Sequence, residues 1–140
     1  MHDDYKPTLV DWIAMLSIST RLNFPKVRER SIKELTVRLE EIDPFDLIGL
    51  AVKFDVQQWL MPAYRRIVTR PSLITHEEAQ SVPFPMAVML MRSREQHYSR
   101  STRHYANLDP RLAADHIINS EVIMMNQVSN EAHTVASHWQ

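Results

Sequence analysis

Gly49 is the only glycine among 140 residues, and that scarcity constrains the fold more than any other feature of the chain. Strands meet in tight turns and bulges that favour glycine, because a residue without a Cβ reaches positive φ at no steric cost. A chain with one glycine and eight prolines is better served by helices, with proline punctuating the bends. The apolar fraction of 44% and charged fraction of 24% supply an ordinary core for one domain. The expectation is an all-α fold of six or seven helices in antiparallel hairpins, without a β-sheet.

The densest stretch runs from Asp43 to Arg70. Asp43 is placed to cap a helix, and Pro44 suits its first position, where a missing N–H goes unnoticed. Leu47, Leu50, Ala51 and Phe54 recur at helical spacing. After a break near Asp55, a second stripe follows at Val56, Trp59, Leu60, Ala63, Tyr64 and Ile67. Pro62 falls inside that stripe, so the second helix either kinks there or starts late enough to hold Pro62 in its first turn. Two amphipathic helices this close are expected to fold back as a hairpin.

Upstream, Thr8 with Asp11 reads as a capping pair before Leu9, Trp12, Ile13 and Leu16. Pro25 opens a second helix expected to turn Val27, Ile32, Leu35 and Leu39 inward. Downstream, Thr75 and Glu78 form another capping box. A long helix from about Met86 begins apolar and turns polar near Arg92, and Asp109-Pro110 starts a last helix over roughly 110–129. Residues 1–7 read as a flexible N-terminus, 8–106 as the helical domain, and 107–140 as a C-terminal helix with a fraying tail.

The net charge of -1 provides no global field toward nucleic acid or an anionic membrane. Cysteine is absent, which removes disulfides, thiolate zinc sites and a cysteine nucleophile together. No signal-peptide pattern opens the chain, and no apolar run approaches the ~18 residues of a membrane span; an intracellular address, cytoplasm or nucleus, follows as the expectation. Among seven histidines, His97 and His104 are seven apart and His133 and His138 five apart, not the i, i+4 spacing of a helical zinc site. With no serine elbow and no glycine-rich phosphate loop, neither catalytic residues nor a cofactor or metal site is expected.

Two stretches retain interest. Arg92, Arg94, Arg100 and Arg103 alternate with His97, Tyr98, His104 and Tyr105, the mixture of cations and rings that a single-strand nucleic-acid surface uses. The competing reading is a polar helix half whose aromatics cover a neighbour. Methionines cluster at Met86, Met89 and Met91 and again at Met124-Met125. Thioethers adapt to irregular partners, so an exposed cluster becomes a partner-binding patch. The two helices that carry them are expected to pack together.

The run Asp43-Pro44, Asp46, Leu50-Ala51, Lys53, Asp55-Val56, Trp59-Leu60, Pro62-Ala63-Tyr64, continued by Arg70, Leu73 and Glu77-Glu78-Ala79, resembles a known pattern. It is that of the BACK-like helical region following the BTB/POZ domain in fungal, basidiomycete-type BTB proteins. Trp12, Leu16, Ser19-Thr20, Val27-Arg28-Glu29, Ile32, Glu34 and Leu35 fit the same region, and the resemblance spans roughly residues 10–98. It implies a non-catalytic protein-interaction module, an adaptor or scaffold in ubiquitin-ligase or transcriptional complexes, with BTB-type or cullin-ligase components as partners. The chain is expected to lack the BTB domain itself, so BTB dimerisation and the main cullin contact are not carried over. Since the first helix packs beside BTB in the family, Tyr5, Trp12 or Met15 is expected to be exposed and to drive self-association. The expected core is Trp12, Leu16, Leu35, Leu47, Leu50, Phe54, Trp59, Leu60 and Tyr64. The expected partner or nucleic-acid surface is Arg92, Arg94, Tyr98, Arg100, Arg103 and Tyr105.

Overall fold

The structure, a computed structural model, describes residues 4–100 and 108–138. Among the described residues there are seven α-helices and no strand. They are α1 (Leu9–Arg21), α2 (Pro25–Thr36), α3 (Pro44–Lys53), α4 (Leu60–Thr69), α5 (His76–Gln80), α6 (Phe84–Arg100) and α7 (Pro110–His138), with short 3-10 turns at Leu39–Glu41 and Gln57–Trp59. The all-α expectation holds. The chain divides into two compact units, Met1–Leu60 and Met61–Gln140.

In the first unit, α1 packs along α2. Thr8 and Asp11 close the expected capping box at the start of α1, and Trp12, Leu16 and Ser19 form its buried face. The helix ends at Asn23, whose φ of 56° is left-handed, and the Phe24 N–H returns to the Ser19 carbonyl at 2.9 Å. The end of α3 repeats this pattern: Asp55 has φ 54°, and the Val56 N–H reaches the Ala51 carbonyl at 2.8 Å. Both are helix stops of the kind usually given to glycine. Asn and Asp substitute because their short polar side chains tolerate the left-handed region better than others do.

Asp43 caps α3 as its sequence implies, its Oδ1 accepting from the N–H groups of Phe45 (3.0 Å) and Asp46 (3.2 Å). Leu35, Leu47, Phe54 and Trp59 are buried as expected, with Phe45, Ile48, Ala51 and Val56 beside them. The Trp59 indole N–H donates to Thr36 Oγ1 at 3.0 Å, satisfying the one polar atom of a fully buried ring. Leu50 and Leu60 differ from expectation in being half-buried. Val27 is also corrected to exposed. Arg28, one position on, reaches inward to the Phe54 carbonyl at 2.7 Å, so the inner line of α2 runs through Arg28, Ser31 and Leu35.

In the second unit, Pro62 lies in the first turn of α4, where no intrahelical bond is lost. Ala63, Tyr64, Ile67 and Val68 form the buried face of that helix, and burial pushes the Tyr64 phenol up to about 12. Thr75 and Glu78 close the capping box of α5. The Asp109 carboxylate accepts from the Arg111 N–H at 2.9 Å and so caps α7. The helices α6 and α7 pack on one another, burying Ala87, Met89 and Leu90 with Ala113, Ala114, Ile117 and Ile118. The helix α7 continues past the expected end near 129 to His138. The apolar spacing in steps of four and three runs through Ala114, Ile118, Glu121, Met125, Val128, Ala132 and Val135, but only the first three are buried, and the row stands exposed from Val128 onward. No helix among the described residues is long and apolar enough to cross a membrane.

Candidate interaction site

The basic-aromatic stretch lies on the second half of α6, and its described cations are already engaged. Arg94 is buried, and its Nη1 donates to the carbonyls of Ile67 at 2.5 Å and Arg70 at 2.8 Å. This corrects the expectation of an exposed Arg94. Its charge lies against the last carbonyls of α4, the negative end of that helix. The Tyr98 hydroxyl lies 2.7 Å from the same Arg70 oxygen, while the ring remains half-exposed beneath the Arg94 guanidinium, 5.4 Å from its centroid. Burial, and then the Arg94 charge, lowers the His97 imidazole.

Arg92 is half-exposed, and its Nε donates to Glu121 Oε2 of α7 at 2.8 Å. Glu121 is buried and also accepts from Gln96 Nε2. A buried carboxylate without such donors would be severely penalised, so these two residues of α6 hold it in place. A second tie joins Arg65 of α4 to Asp115 of α7 through paired bonds of 2.7 and 2.9 Å, the bidentate geometry that suits guanidinium and carboxylate. The side chain of Arg100, together with Arg103 and Tyr105, lies outside the described residues.

The Arg92–Glu121 pair closes one end of an apolar groove between α6 and α7. The groove has a volume of about 340 Å³ and is lined by Phe84, Pro85, Val88, Met89, Met124, Met125 and Val128. Of its two methionine clusters, the α6 one contributes the buried Met89, whereas Met124 of α7 is exposed. Phe84 and Val128 stand exposed at the rim. Fully burying each such side chain contributes roughly 1.5–3 kcal/mol, so a partner filling this groove gains from several at once. A second depression of about 550 Å³ lies among Pro71, Leu73, Ile74, Met91, Arg94, Glu95 and Tyr98; of these, the Arg94 guanidinium and the Tyr98 hydroxyl are committed to the end of α4.

Sequence reasoning located the methionines of the groove but missed Glu121, Asp115 and Gln96. Their partners lie 25 to 50 positions away, and no local spacing encodes a contact at that range. Among the described residues, no group of three or more histidine, aspartate and glutamate side chains is arranged to hold a metal ion. Comparison of the chain with protein-family models, with curated proteins and with solved structures gives no match.

Proposed function

We propose that the chain is a non-catalytic protein-interaction module that takes an apolar helix of a partner protein into the groove between α6 and α7. The observation that carries this reading is the exposure of Phe84, Met124 and Val128 around one apolar groove. Anchors on neighbouring turns of two packed helices are the form in which a groove receives an amphipathic helix. Methionine lets such a wall adapt to the incoming side chains. The BTB-region resemblance of residues 10–98 supports the same class of function and makes subunits of BTB or cullin-ligase assemblies the first partners to try.

A photo-crosslinking amino acid placed at Met124, and at exposed Lys33 as a control, tests the reading in source-cell extract. The expected result is a protein adduct specific to position 124, reduced at least tenfold by Val128→Glu and resistant to nuclease. Equal labelling from both positions would remove the groove from consideration. Adducts that disappear with nuclease would move the reading to residues 92–105 and nucleic acid, where Arg100 and Arg103 supply cations.

A further inference from the structure

The first helix is apolar on two sides. Trp12, Leu16 and Ser19 are buried, yet on other faces Val10 is 73%, Ile18 54% and Leu22 60% exposed, with Met15 at their edge. A helix that is apolar beyond its core-facing stripe belongs between two partners. Trp12 is buried and plays no part in this outer surface, contrary to its expected role in self-association.

The outer residues are arranged symmetrically about the level of residue 16. Val10 mirrors Leu22, Ala14 mirrors Ile18, and Asp11 mirrors Arg21. A second α1 laid antiparallel therefore sets Val10 against Leu22 of the other copy and seats Ile18 over the small Ala14. It also brings each Asp11 to an Arg21, and opposes the two helix dipoles. Parallel packing would instead place Asp11 beside Asp11. The Tyr5 hydroxyl, the Thr8 N–H and the Thr8 hydroxyl all bond to Asp11 through Oδ2, which leaves Oδ1 available to a cation. Rows at i, i+4 such as Val10, Ala14 and Ile18 are the ridges that interdigitate when two helices cross at about -50°.

We propose that this face of α1 is an interface between two copies of this chain, packed antiparallel about a two-fold axis at the level of Leu16. Such an interface is isologous and closes on itself, so assembly stops at the dimer. One helix pair buries less than a standard interface, and a dissociation constant of about 1–100 µM is expected.

Sedimentation of the full chain between about 1 µM and 500 µM reads the mass directly. The expected course is a rise from 16.4 kDa toward twice that value, abolished by Ile18→Glu with helicity retained. The absence of cysteine permits a second reading that does not depend on a charged variant. Under mild oxidation, Ala14→Cys mixed with Ile18→Cys should crosslink, while either alone should do so at least fivefold less. Facing Cα atoms lie inside the interaxial spacing of about 8 Å by a helix radius of about 2.3 Å on each side, so positions 14 and 18 at one level are within disulfide reach, whereas two copies of position 14, offset by about 6 Å along the helices, are about 7 Å apart and beyond it. A monomer throughout the range, a dimer indifferent to Ile18→Glu, or single variants that crosslink as well as the mixture would each overturn the proposal.

Discussion

Arg94 and Tyr98 converge on one atom, the carbonyl oxygen of Arg70, with Nη1 at 2.8 Å and the hydroxyl at 2.7 Å. The last carbonyls of a helix have no partners within it, and here two side chains one turn apart on α6 supply them. The Arg66 carbonyl takes the Arg70 N–H at 3.2 Å, and Arg94 also bonds the Ile67 carbonyl. The end of α4 is thus closed by a buried cation in place of water.

Replacing Arg94 by alanine is expected to lower stability by about 2–4 kcal/mol, because hydrogen bonds to a charged donor are worth roughly 1.5–3 kcal/mol each. Tyr98→Phe removes one neutral donor and should lose only about 1 kcal/mol. Urea unfolding midpoints measure both; equal losses would mean that the guanidinium does not carry the cap.

Glu78 gives the second unit a pH signature. The Arg70 guanidinium at 2.7 Å, supported by the Thr75 N–H, holds its carboxyl down to about 2 from an ordinary 4.5. A depressed carboxylate contributes stability above its unfolded pKa and loses it as pH falls through the folded one. The melting-temperature gap between wild type and Glu78→Gln should therefore be constant above pH 5 and close between about 4.5 and 2. A gap that stays level across that window would dissociate the pair from acid unfolding.

The lone glycine sits where none is needed. Gly49 is exposed inside α3, and a Cβ there meets nothing within 4 Å. Gly49→Ala should raise stability by about 0.5–1 kcal/mol, the usual helix-interior difference. Asn23, with φ 56°, presents the converse case, and Asn23→Gly should also stabilise, by up to about 1 kcal/mol. Thermal melts decide both, and a drop in either variant would contradict the backbone assignment at that position.

Trp59 fills the first unit from a 3-10 turn, fully buried, with its N–H on Thr36. Trp59→Ala should lower stability by about 3–5 kcal/mol through the cavity it leaves. Thr36→Val, which removes the acceptor of the indole N–H together with the hydroxyl's own bond to the Ile32 carbonyl at 2.6 Å, should lose about 1–2 kcal/mol. Denaturant titrations that rank the two alike would deny the ring its central place.

What was legible in the sequence was local. The caps at Thr8, Asp43, Thr75 and Asp109 and the break at Asp55 each follow from residues within a turn of one another, whereas for Pro62 the sequence narrowed the choice to a kink or a first-turn position, of which the structure has the second. The apolar rows identified Leu16, Leu35, Leu47, Trp59 and Tyr64 as core because burial follows the helical period. Periodicity overreached at Leu50 and Leu60, which lie at the edges of their stripes and are half-buried. It could not anticipate Arg94, since an arginine on a polar helix half reads as solvated until a distant helix end arrives beside it. The same holds for Glu121, buried among a seam of apolar residues and intelligible only with Arg92 and Gln96 opposite.

The length of α7 has a mechanical consequence. Its last buried residue is Glu121, and the helix runs on to His138, about 25 Å further at 1.5 Å per residue. A ligand seated near Val135 would therefore be held on a lever arm whose orientation depends on residue number. Deleting one residue between Asn130 and Thr134 would swing that end by about 100°. Removing seven would draw it in by about 10 Å yet leave it facing almost the same way.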